Sequence, residues 1–230
     1  MELFTLKLIT RSWWRNKIFF FISLLSLSIG LACTNLLLTF FIYEYNIESN
    51  LPDKEQIVCL QQDAPMQEGA KVSYAVGTIP ALLKDKFAEI EEYVRINTMS
   101  AQYCKYNTEV FHDVTFICAD ASLLCFFDYQ TRTGNLKEVL IHPDQIAVSE
   151  EFAQKMFGDT DPIDKHIDVS MSDNGNKTYV VKAVIKARPQ SLLRFDLITG
   201  TESTFWGGFT LLKLTEGSSP QSLADKINNK

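Results

Sequence analysis

The sequence predicts a mixed α+β domain preceded by an N-terminal transmembrane helix. Residues 18–43 contain no charged side chain, which predicts the helix. The later segments alternate irregularly between strand-like and helix-like patterns, which favours an α+β fold over a doubly wound sheet. Of the 230 residues, 46% are hydrophobic, with only 10 Gly and 7 Pro. This composition excludes a disordered, collagen-like or low-complexity protein and allows one medium-sized core.

Charge is distributed unevenly along the chain. The first 17 residues carry Lys7, Arg11, Arg15 and Lys17 against Glu2, which gives this segment a charge of +3. The formal net charge of the chain is −6, so the part after the apolar segment carries −9. An acidic domain lacks the basic face of a general nucleic-acid binder, and no nucleic-acid partner is expected.

The apolar segment is long enough to cross a membrane. Ile18 to Ile42 is 25 residues long. As a helix it reaches about 37 Å, which exceeds the ~30 Å hydrocarbon core of a bilayer. Basic residues precede the segment, and Glu44 and Glu48 follow it. The positive-inside rule therefore places the N-terminus in the cytosol and residues 44–230 outside.

Three alternatives to an uncleaved anchor are less suitable. The rest of the chain is too small to surround the helix as the core of a soluble protein. The apolar run exceeds the 7–15 residues of a signal-peptide core. A lipoprotein signal ending at Cys33 would have an aliphatic residue where Gly30 stands. Residues 1–17 form either a flanking anchor or an amphipathic cytosolic helix that also contacts a partner.

The part after the membrane segment divides into short strands and helices. Strands are predicted at Gln56–Gln62, Tyr93–Thr98, Asp113–Cys118, Ile146–Val148, Thr178–Ala187 and Gly208–Leu214. Helices are predicted after the capping residues Thr78, Asp120 and Ser149, and from Pro220 onward. The first of these helices includes Ile90 by its spacing, Gly158 ends the third, and residues 63–71 are predicted to form a loop.

None of the common catalytic or cofactor motifs occurs in the sequence. The phosphate-binding loop, the dinucleotide-binding glycine motif and the nucleophile elbow are all absent. His112, His142 and His166 are too widely spaced to form a zinc motif. The sequence therefore predicts no catalytic residue, no cofactor and no metal site, and the chain is not expected to be an enzyme.

Two further groups contain residue types that bind cations or form disulfides. One acidic run lacks the Gly and terminal Glu of an EF-hand loop, so it is expected to be a solvated turn; its residues are Asp159, Asp161, Asp164 and Asp168. Four outer cysteines allow three disulfide connectivities; they are Cys59, Cys104, Cys118 and Cys125. A domain of this size does not need a disulfide framework, so none is expected, although an oxidising compartment permits pairing.

Several segments between residues 15 and 189 match motifs of one family. Arg15-Asn16-Lys17 and the apolar run to Cys33 are similar to "R-N-K" followed by "L-x-I-G-L-A", and Glu44-Tyr45 fits directly after the span. Three matches are shorter. Phe87 to Arg95 resembles "pevE…R", and Gly134-Asn135 matches a "G(N/D)" turn. Phe116 to Asp120, followed by Phe126-Phe127, resembles "aD.sff..F". The longest match, Ile146 to Ile163, is similar to "vviSe..A.k.FG..dpiGk.i". After it, Tyr179 to Val184 together with Pro189 is similar to "y.V.gVi.d.P".

In this order and spacing, the segments resemble the long FtsX-like, MacB-type permeases of ABC transporters, in the version common in Bacteroidetes. Two positions depart from the family pattern. Asp164 and Ala183 stand where the family usually has Gly. The sequence therefore does not decide the turn conformation at Asp164 or the strand contact at Ala183. Such permeases continue into at least three further membrane helices, so the chain is expected to be an N-terminal fragment or a truncated protein.

The resemblance implies three parts of a bacterial inner-membrane protein. They are a cytosolic segment at residues 1–17, a transmembrane helix at 18–43, and a MacB-like periplasmic core domain at 44–230. Within that domain, a subdomain at about residues 100–200 would face a partner. The strand at Gln56–Gln62 and the last strand and helix would lie near the membrane.

The resemblance also implies a non-catalytic subunit. A separate cytosolic ATPase would hydrolyse ATP, and a second permease subunit would pair with this one in the membrane lipid. The motion would serve efflux, lipoprotein release or mechanotransmission to a periplasmic protein. The main alternative is a single-span sensor or adaptor whose outer domain binds a ligand or protein. An anchored periplasmic enzyme is disfavoured because no site is found.

Overall fold

The computed structural model divides the chain into two compact units, Met1–Ser49 and Asn50–Lys230. It describes residues 17–46, 53–63, 71–171, 175–186, 191, 193–201 and 207–228. The interpretation of residues 1–16 as an anchor or an amphipathic helix lies outside the described residues.

The first unit contains one long helix, α1, at Lys17–Asn46. Its stretch Lys17–Tyr45 is long and apolar enough to cross a membrane, and none of its most apolar window is buried inside protein. This exposure is the opposite of what the core helix of a soluble protein shows. Polar side chains are accommodated within the helix, because four hydroxyls donate hydrogen bonds of 2.8–2.9 Å to the carbonyl four residues earlier. They belong to Ser26, Ser28, Thr34 and Thr39.

The second unit combines a large sheet with four helices in its described part. The helices are α2 at Ile79–Lys86, α3 at Leu136–Ile141, α4 at Glu150–Phe157 and α5 at Pro220–Asn228. Two 3₁₀ turns lie at Lys54–Gln56 and Ala121–Cys125. The first seven strands are β1 at Ile57–Cys59, β2 at Gln62–Asp63, β3 at Lys71–Val72, β4 at Tyr74–Val76, β5 at Ile90–Ala101, β6 at Tyr103–Tyr106 and β7 at Glu109–Phe111. The others are β8 at Val114–Ala119, β9 at Thr131–Gly134, β10 at Gln145–Ser149, β11 at His166–Met171, β12 at Gly175–Ile185, β13 at Leu197–Gly200 and β14 at Gly207–Leu214.

Twelve of these strands form one mixed sheet. Their order is β1-β14-β5-β8-β13-β10-β12-β11-β6-β7, with β4 beside β14 and β9 beside β12. The pairs β8–β13 and β10–β12 are parallel, and the other neighbours are antiparallel. The sheet also curls, since the Gln102 amide after β5 donates to the Ser170 carbonyl on β11 at 2.8 Å. This architecture confirms the predicted α+β class.

Both faces of the sheet are covered by buried side chains. On one face, α3 and the 3₁₀ turn at Ala121–Cys125 cover a cluster that includes Ile117 and Phe127. On the other face, α4 covers a cluster that includes Phe116. The neighbours Phe116 and Ile117 enter opposite clusters because successive side chains of a strand point to opposite faces. A third cluster around Leu214 packs α5 against the end of β14.

Several local predictions agree with the structure. The Ser149 hydroxyl caps α4 by accepting a hydrogen bond from the Phe152 amide at 3.2 Å, and Gly158 ends the helix at φ 58°. Asp164, at a position where the family pattern has Gly, adopts a left-handed conformation with φ 62°. Its carboxylate accepts a 2.6 Å hydrogen bond from the Lys182 ammonium.

Other local predictions are wrong. Ile90 begins β5 rather than extending α2, because Phe87 already leaves the helix in an extended conformation. In the predicted loop at 63–71, the described ends pair as β2 and β3, and residues 64–70 lie outside the described residues. Several elements are not predicted because a run of three to six residues shows too little periodicity in a single sequence; they are β6, β7, β9, β11, β13 and α3.

Candidate functional site: an arginine–aspartate clamp and the end of the sheet

Arg95 and Asp120 meet although 25 residues separate them. Arg95 lies on β5, and Asp120 directly follows β8. The register of these antiparallel strands places Ile96 opposite Ala119, which brings the two side chains to the same level. Arg95 Nε donates to Asp120 Oδ2 at 2.7 Å, and Nη2 donates to Oδ1 at 2.8 Å. This bidentate geometry is the strongest that an arginine and a carboxylate form.

The clamp also holds two other segments. Asp120 Oδ1 accepts a hydrogen bond from the Thr201 hydroxyl at 2.6 Å, just after β13. Arg95 Nη1 donates to the Gly77 carbonyl at 2.9 Å, just before α2. Only 21% of the Arg95 side chain and 14% of the Asp120 side chain are exposed. The hydrogen bonds to Asp120 raise the pKa of Arg95 above its ordinary value despite partial burial. The clamp is therefore a shielded ion pair at the junction of four segments.

The structure corrects the role predicted for Asp120. The sequence interpretation made it the N-cap of a short helix, but its side chain makes no capping hydrogen bond to the 3₁₀ turn at Ala121–Cys125. The carboxylate is instead held by Arg95. Both residues occur in the motifs quoted above, in two separate segments, and their pairing depends on the strand register, which no local signal specifies.

A polar cleft of about 470 Å³ opens beside the clamp. It lies between α2, β5 and the 3₁₀ turn, and its lining includes Lys84, Glu92, Tyr93, Asp120 and Ser122. Lys84 Nζ and Glu92 Oε1 form a 2.6 Å ion pair, and the Ser122 hydroxyl donates to the Tyr93 carbonyl at 2.6 Å. Most of these groups are therefore engaged in structural bonds, and the cleft lacks the hydrogen-bonded nucleophile and base of a catalytic site.

The chain enters and leaves the sheet at one end. β1 begins where β14 ends, with Ile57 opposite Lys213. The Lys213 ammonium lies 3.2 Å from Asp53 Oδ2, just before β1, and 3.8 Å from Glu91 Oε1 on β5. Hydrogen bonding to Asp53 raises the pKa of Lys213. This cation on β14 thus joins Asp53, which precedes β1, to Glu91 on β5.

Helix α5 is fastened at the same end of the sheet. The Lys226 ammonium donates a hydrogen bond to Glu89 Oε1, one residue before β5. This bond is the main cause that lowers the pKa of Glu89. The Thr215 amide donates to the Glu89 carbonyl at 2.9 Å, and Leu223 is buried against Leu214. The N-terminal and C-terminal connections of the sheet are therefore both tied to the start of β5.

The acidic run and the three histidines do not come together in one place. Among the described residues, no group of three or more His, Cys, Asp or Glu side chains could hold a metal ion. In the acidic run, Asp161 accepts a hydrogen bond from the Ile163 amide at 3.0 Å, and Asp168 accepts one from the Thr178 hydroxyl at 2.5 Å. Histidines lie at the end of α3, at the start of β11 and near β7; they are His142, His166 and His112.

The Gly134-Asn135 segment is structural, but it is not a simple turn. Gly134 belongs to β9, at φ 83°, and a Cβ there would lie 2.0 Å from the Lys182 carbonyl oxygen. Only Gly permits β9 to approach β12 this closely. Asn135 caps α3, since its side chain accepts a hydrogen bond from the Lys137 amide at 3.0 Å. Across the strands, Ala183 pairs with Gly134, so the Ala at the second departure from the family pattern is tolerated.

Comparisons with known proteins support one family. The sequence model of the MacB-like periplasmic core domain matches residues 20–230. A domain assigned to a permease protein from Porphyromonas gingivalis has a TM-score of 0.64 at 17% identity, covering 78% of this chain and 84% of that one. The periplasmic region of MacB from Actinobacillus actinomycetemcomitans has a TM-score of 0.56 at 10% identity, covering 80% and 86%.

A third structure extends the likeness to another group of bacteria. The extracellular domain of the ABC-type transporter YknZ from Gram-positive bacteria has a TM-score of 0.55 at 15% identity, covering 74% of this chain and 91% of that one. At these identities the likeness shows the fold. No curated protein matches the sequence.

Proposed function

Because this chain belongs to the family of MacB-like periplasmic core domains, we propose that it is the N-terminal part of a non-catalytic ABC transporter permease subunit. In this role, a separate cytosolic ATPase hydrolyses ATP, and membrane helices pass the resulting motion to the domain outside the membrane. The sequence has no phosphate-binding loop, which fits a subunit that does not hydrolyse ATP itself.

The helix and the charges around it support a membrane-anchored topology. Lys17–Tyr45 is long and apolar enough to span a bilayer. Basic residues precede this stretch and acidic residues follow it. By the positive-inside rule, residues 1–17 are cytosolic, 18–43 cross the inner membrane and 44–230 lie in the periplasm.

The observation that carries the mechanical part of the proposal is the convergence of both chain connections at one end of the sheet. The Lys213 ammonium holds Asp53, the first described residue after the span. A displacement of Asp53 itself acts on β14 through this ion pair. Helix α5 moves with the same end, because Lys226 fastens it to Glu89 at the start of β5.

The clamp extends this connection across the sheet. β14 pairs with β5 over most of its length, and Arg95 on β5 holds Asp120 after β8. Asp120 in turn holds Thr201 after β13. Because these strands share backbone ladders as well as charged hydrogen bonds, β14, β5, β8 and β13 respond to a displacement as one body.

The proposed partners follow from this role. They are a cytosolic ABC ATPase, a second permease subunit, the surrounding lipid and a periplasmic protein that contacts the domain. The subdomain at about residues 100–200 remains a prediction, as does the choice between efflux, lipoprotein release and mechanotransmission.

The alternative function is a single-span sensor or adaptor. The cleft of about 470 Å³ lined by Lys84, Glu92 and Tyr93 favours it, because an open polar cleft could hold a ligand. A permease requires further membrane helices and an ATPase, whereas a sensor requires neither. The two functions therefore differ in the size of the native product.

The intact mass of the native product separates the two functions. An antibody against residues 44–230 is applied to native membranes, and the expressed 230-residue chain is run beside them as the size control. A product far heavier than 26.2 kDa supports the permease. A band that comigrates with the control contradicts it and supports the sensor or adaptor.

A further inference from the structure

Asn35 differs from the other polar side chains in the membrane helix. The Ser and Thr hydroxyls described above donate to carbonyls of their own helix, as Thr39 does to the Asn35 carbonyl at 2.8 Å. Within the described part of α1, the Asn35 carboxamide forms no such bond. It carries two N–H donors and one acceptor oxygen, which hydrocarbon cannot satisfy. A carboxamide at this depth therefore requires a partner beside the helix.

Asn35 lies in a groove that runs along one face of α1. The groove is lined by Ala32, Asn35, Leu36, Thr39, Phe40 and Tyr43. Ser28, Ala32, Asn35 and Thr39 follow one another at spacings of four, three and four residues. Their average of about 3.7 residues is close to the 3.6 of a helical turn, so the four residues lie on one face of α1. The unsatisfied carboxamide is thus placed on the face that a second helix would contact.

The chemistry of the carboxamide identifies the occupant. It is both a donor and an acceptor, so two carboxamides at the same depth satisfy each other. Two copies of this chain have the same orientation in the membrane, which places Asn35 of each copy at the same depth. A single Asn in such a seam also fixes the register and number of the helices. A partner helix of another sequence needs a separate polar residue at this depth.

We propose that the Asn35 face of α1 is the contact between two copies of this chain, with the two Asn35 carboxamides hydrogen-bonded across the pair. The inference rests on the proposed function for the orientation of α1 and for a second subunit. It adds the residues of the contact, which are those of the groove.

Oxidative crosslinking of the full chain in membranes tests the contact. In a Cys33→Ala background, Ala32→Cys or Thr39→Cys places a thiol on the Asn35 face, and Leu37→Cys places one on the opposite face. We expect a disulfide-linked dimer through the introduced cysteine for the first two variants only, with the Cys33→Ala parent as the blank. Equal crosslinking through Leu37→Cys would overturn the proposal.

A second pair of variants tests the carboxamide itself. Asn35→Leu in the Ala32→Cys chain should lower dimerisation about 5- to 30-fold, as expected for hydrogen bonds between membrane helices. The matched control, Thr34→Val, lies outside the groove and should leave crosslinking unchanged because the Thr34 hydroxyl donates to the Gly30 carbonyl of its own helix. Unchanged crosslinking in Asn35→Leu would overturn the proposal.

The two proposals fail separately. An ATPase that co-purifies with a chain lacking the Ala32→Cys crosslink contradicts the Asn35 contact and leaves the permease function standing. A crosslinked pair without an ATPase contradicts the permease function and leaves the contact standing.

Discussion

Arg95 and Asp120 hold each other through two parallel hydrogen bonds of 2.7 and 2.8 Å. Arg95 lies on β5, and Asp120 directly follows β8, the neighbouring strand of the large sheet. The pair also holds the Gly77 carbonyl and the Thr201 hydroxyl. One shielded ion pair thus fixes the start of α2 and the end of β13 relative to β5 and β8. This makes it the main candidate for keeping the domain rigid in the proposed permease function.

Removing the Asp120 carboxylate should destabilise the domain strongly. Asp120→Ala leaves the shielded Arg95 guanidinium without its partner, which should cost about 2–3 kcal/mol in the free energy of unfolding. The control is Glu150→Ala, which breaks the more exposed pair with Arg132 and should cost less than about 1 kcal/mol. Denaturant unfolding followed by tryptophan fluorescence measures both. Equal losses for the two variants would show that the clamp is not a structural junction.

The contact between α5 and β5 should weaken in acid. The pKa of Glu89 is lowered, chiefly by the Lys226 hydrogen bond, so the stabilisation is present at neutral pH and is lost as the pH falls through the folded-state pKa, below the ordinary value of 4.5. The melting temperature of Glu89→Gln should therefore lie below that of the wild type at pH 7, and the two should converge toward pH 3. A constant difference over this range would contradict the assignment.

Cys104 should resist thiol reagents in the folded protein. It is fully buried, and its pKa is raised to about 12, mainly by burial and further by Asp168 and Asp196. At pH 8 only a very small fraction is thiolate, whereas Cys125 is exposed. Maleimide labelling followed by mass spectrometry should modify Cys125 within minutes and Cys104 only after denaturation. Labelling of Cys104 at the rate of Cys125 would mean that β6 opens readily.

Gly134 should not tolerate a side chain. Its Cβ would lie 2.0 Å from the Lys182 carbonyl oxygen, so Gly134→Ala must displace β9 from β12 and should cost about 3 kcal/mol or more. Gly217→Ala is the matched control, because that residue also has a positive φ but has no atom within 4 Å of its Cβ. It should cost only about 1–2 kcal/mol, the penalty of a left-handed conformation for a residue with a Cβ. Similar thermal shifts in the two variants would refute the close approach.

An arginine in the centre of α1 should prevent membrane insertion. Leu27→Arg or Gly30→Arg places a charge in the hydrocarbon core at a cost of about 2.5–3.5 kcal/mol on the insertion scale. Both variants should be extracted by alkaline carbonate, whereas the wild type stays in the pellet. Unchanged fractionation of both variants would contradict the spanning helix.

Local signals in the sequence predicted the elements that depend on neighbouring residues. Ser149 caps the start of α4 with its hydroxyl and Gly158 ends the helix with a positive φ, both through residues of the helix itself, so the bounds of α4 are close to those predicted. The apolar runs of β12 and β14 were equally clear, because central strands are buried on both faces.

The parts that depend on distant residues could not be predicted. Asp120 fits the sequence pattern of a helix cap. Only the β5–β8 register shows that its carboxylate forms an ion pair with Arg95. The role of Gly134 depends in the same way on β12, about 50 residues later in the chain. The ion pairs of Lys213 with Asp53 and of Lys226 with Glu89 belong to no sequence motif, because a single Lys does not indicate which carboxylate it will contact.

The most direct test of the permease function is to isolate the protein from its native membranes and look for the ATPase. Membranes are solubilised in a mild detergent, the protein is captured with the antibody against residues 44–230, and membranes from cells lacking the protein serve as the control. We predict that an ATPase with a phosphate-binding loop is captured with it and that the complex hydrolyses ATP. Capture of the protein with no ATPase and no hydrolysis above the control would contradict the permease function.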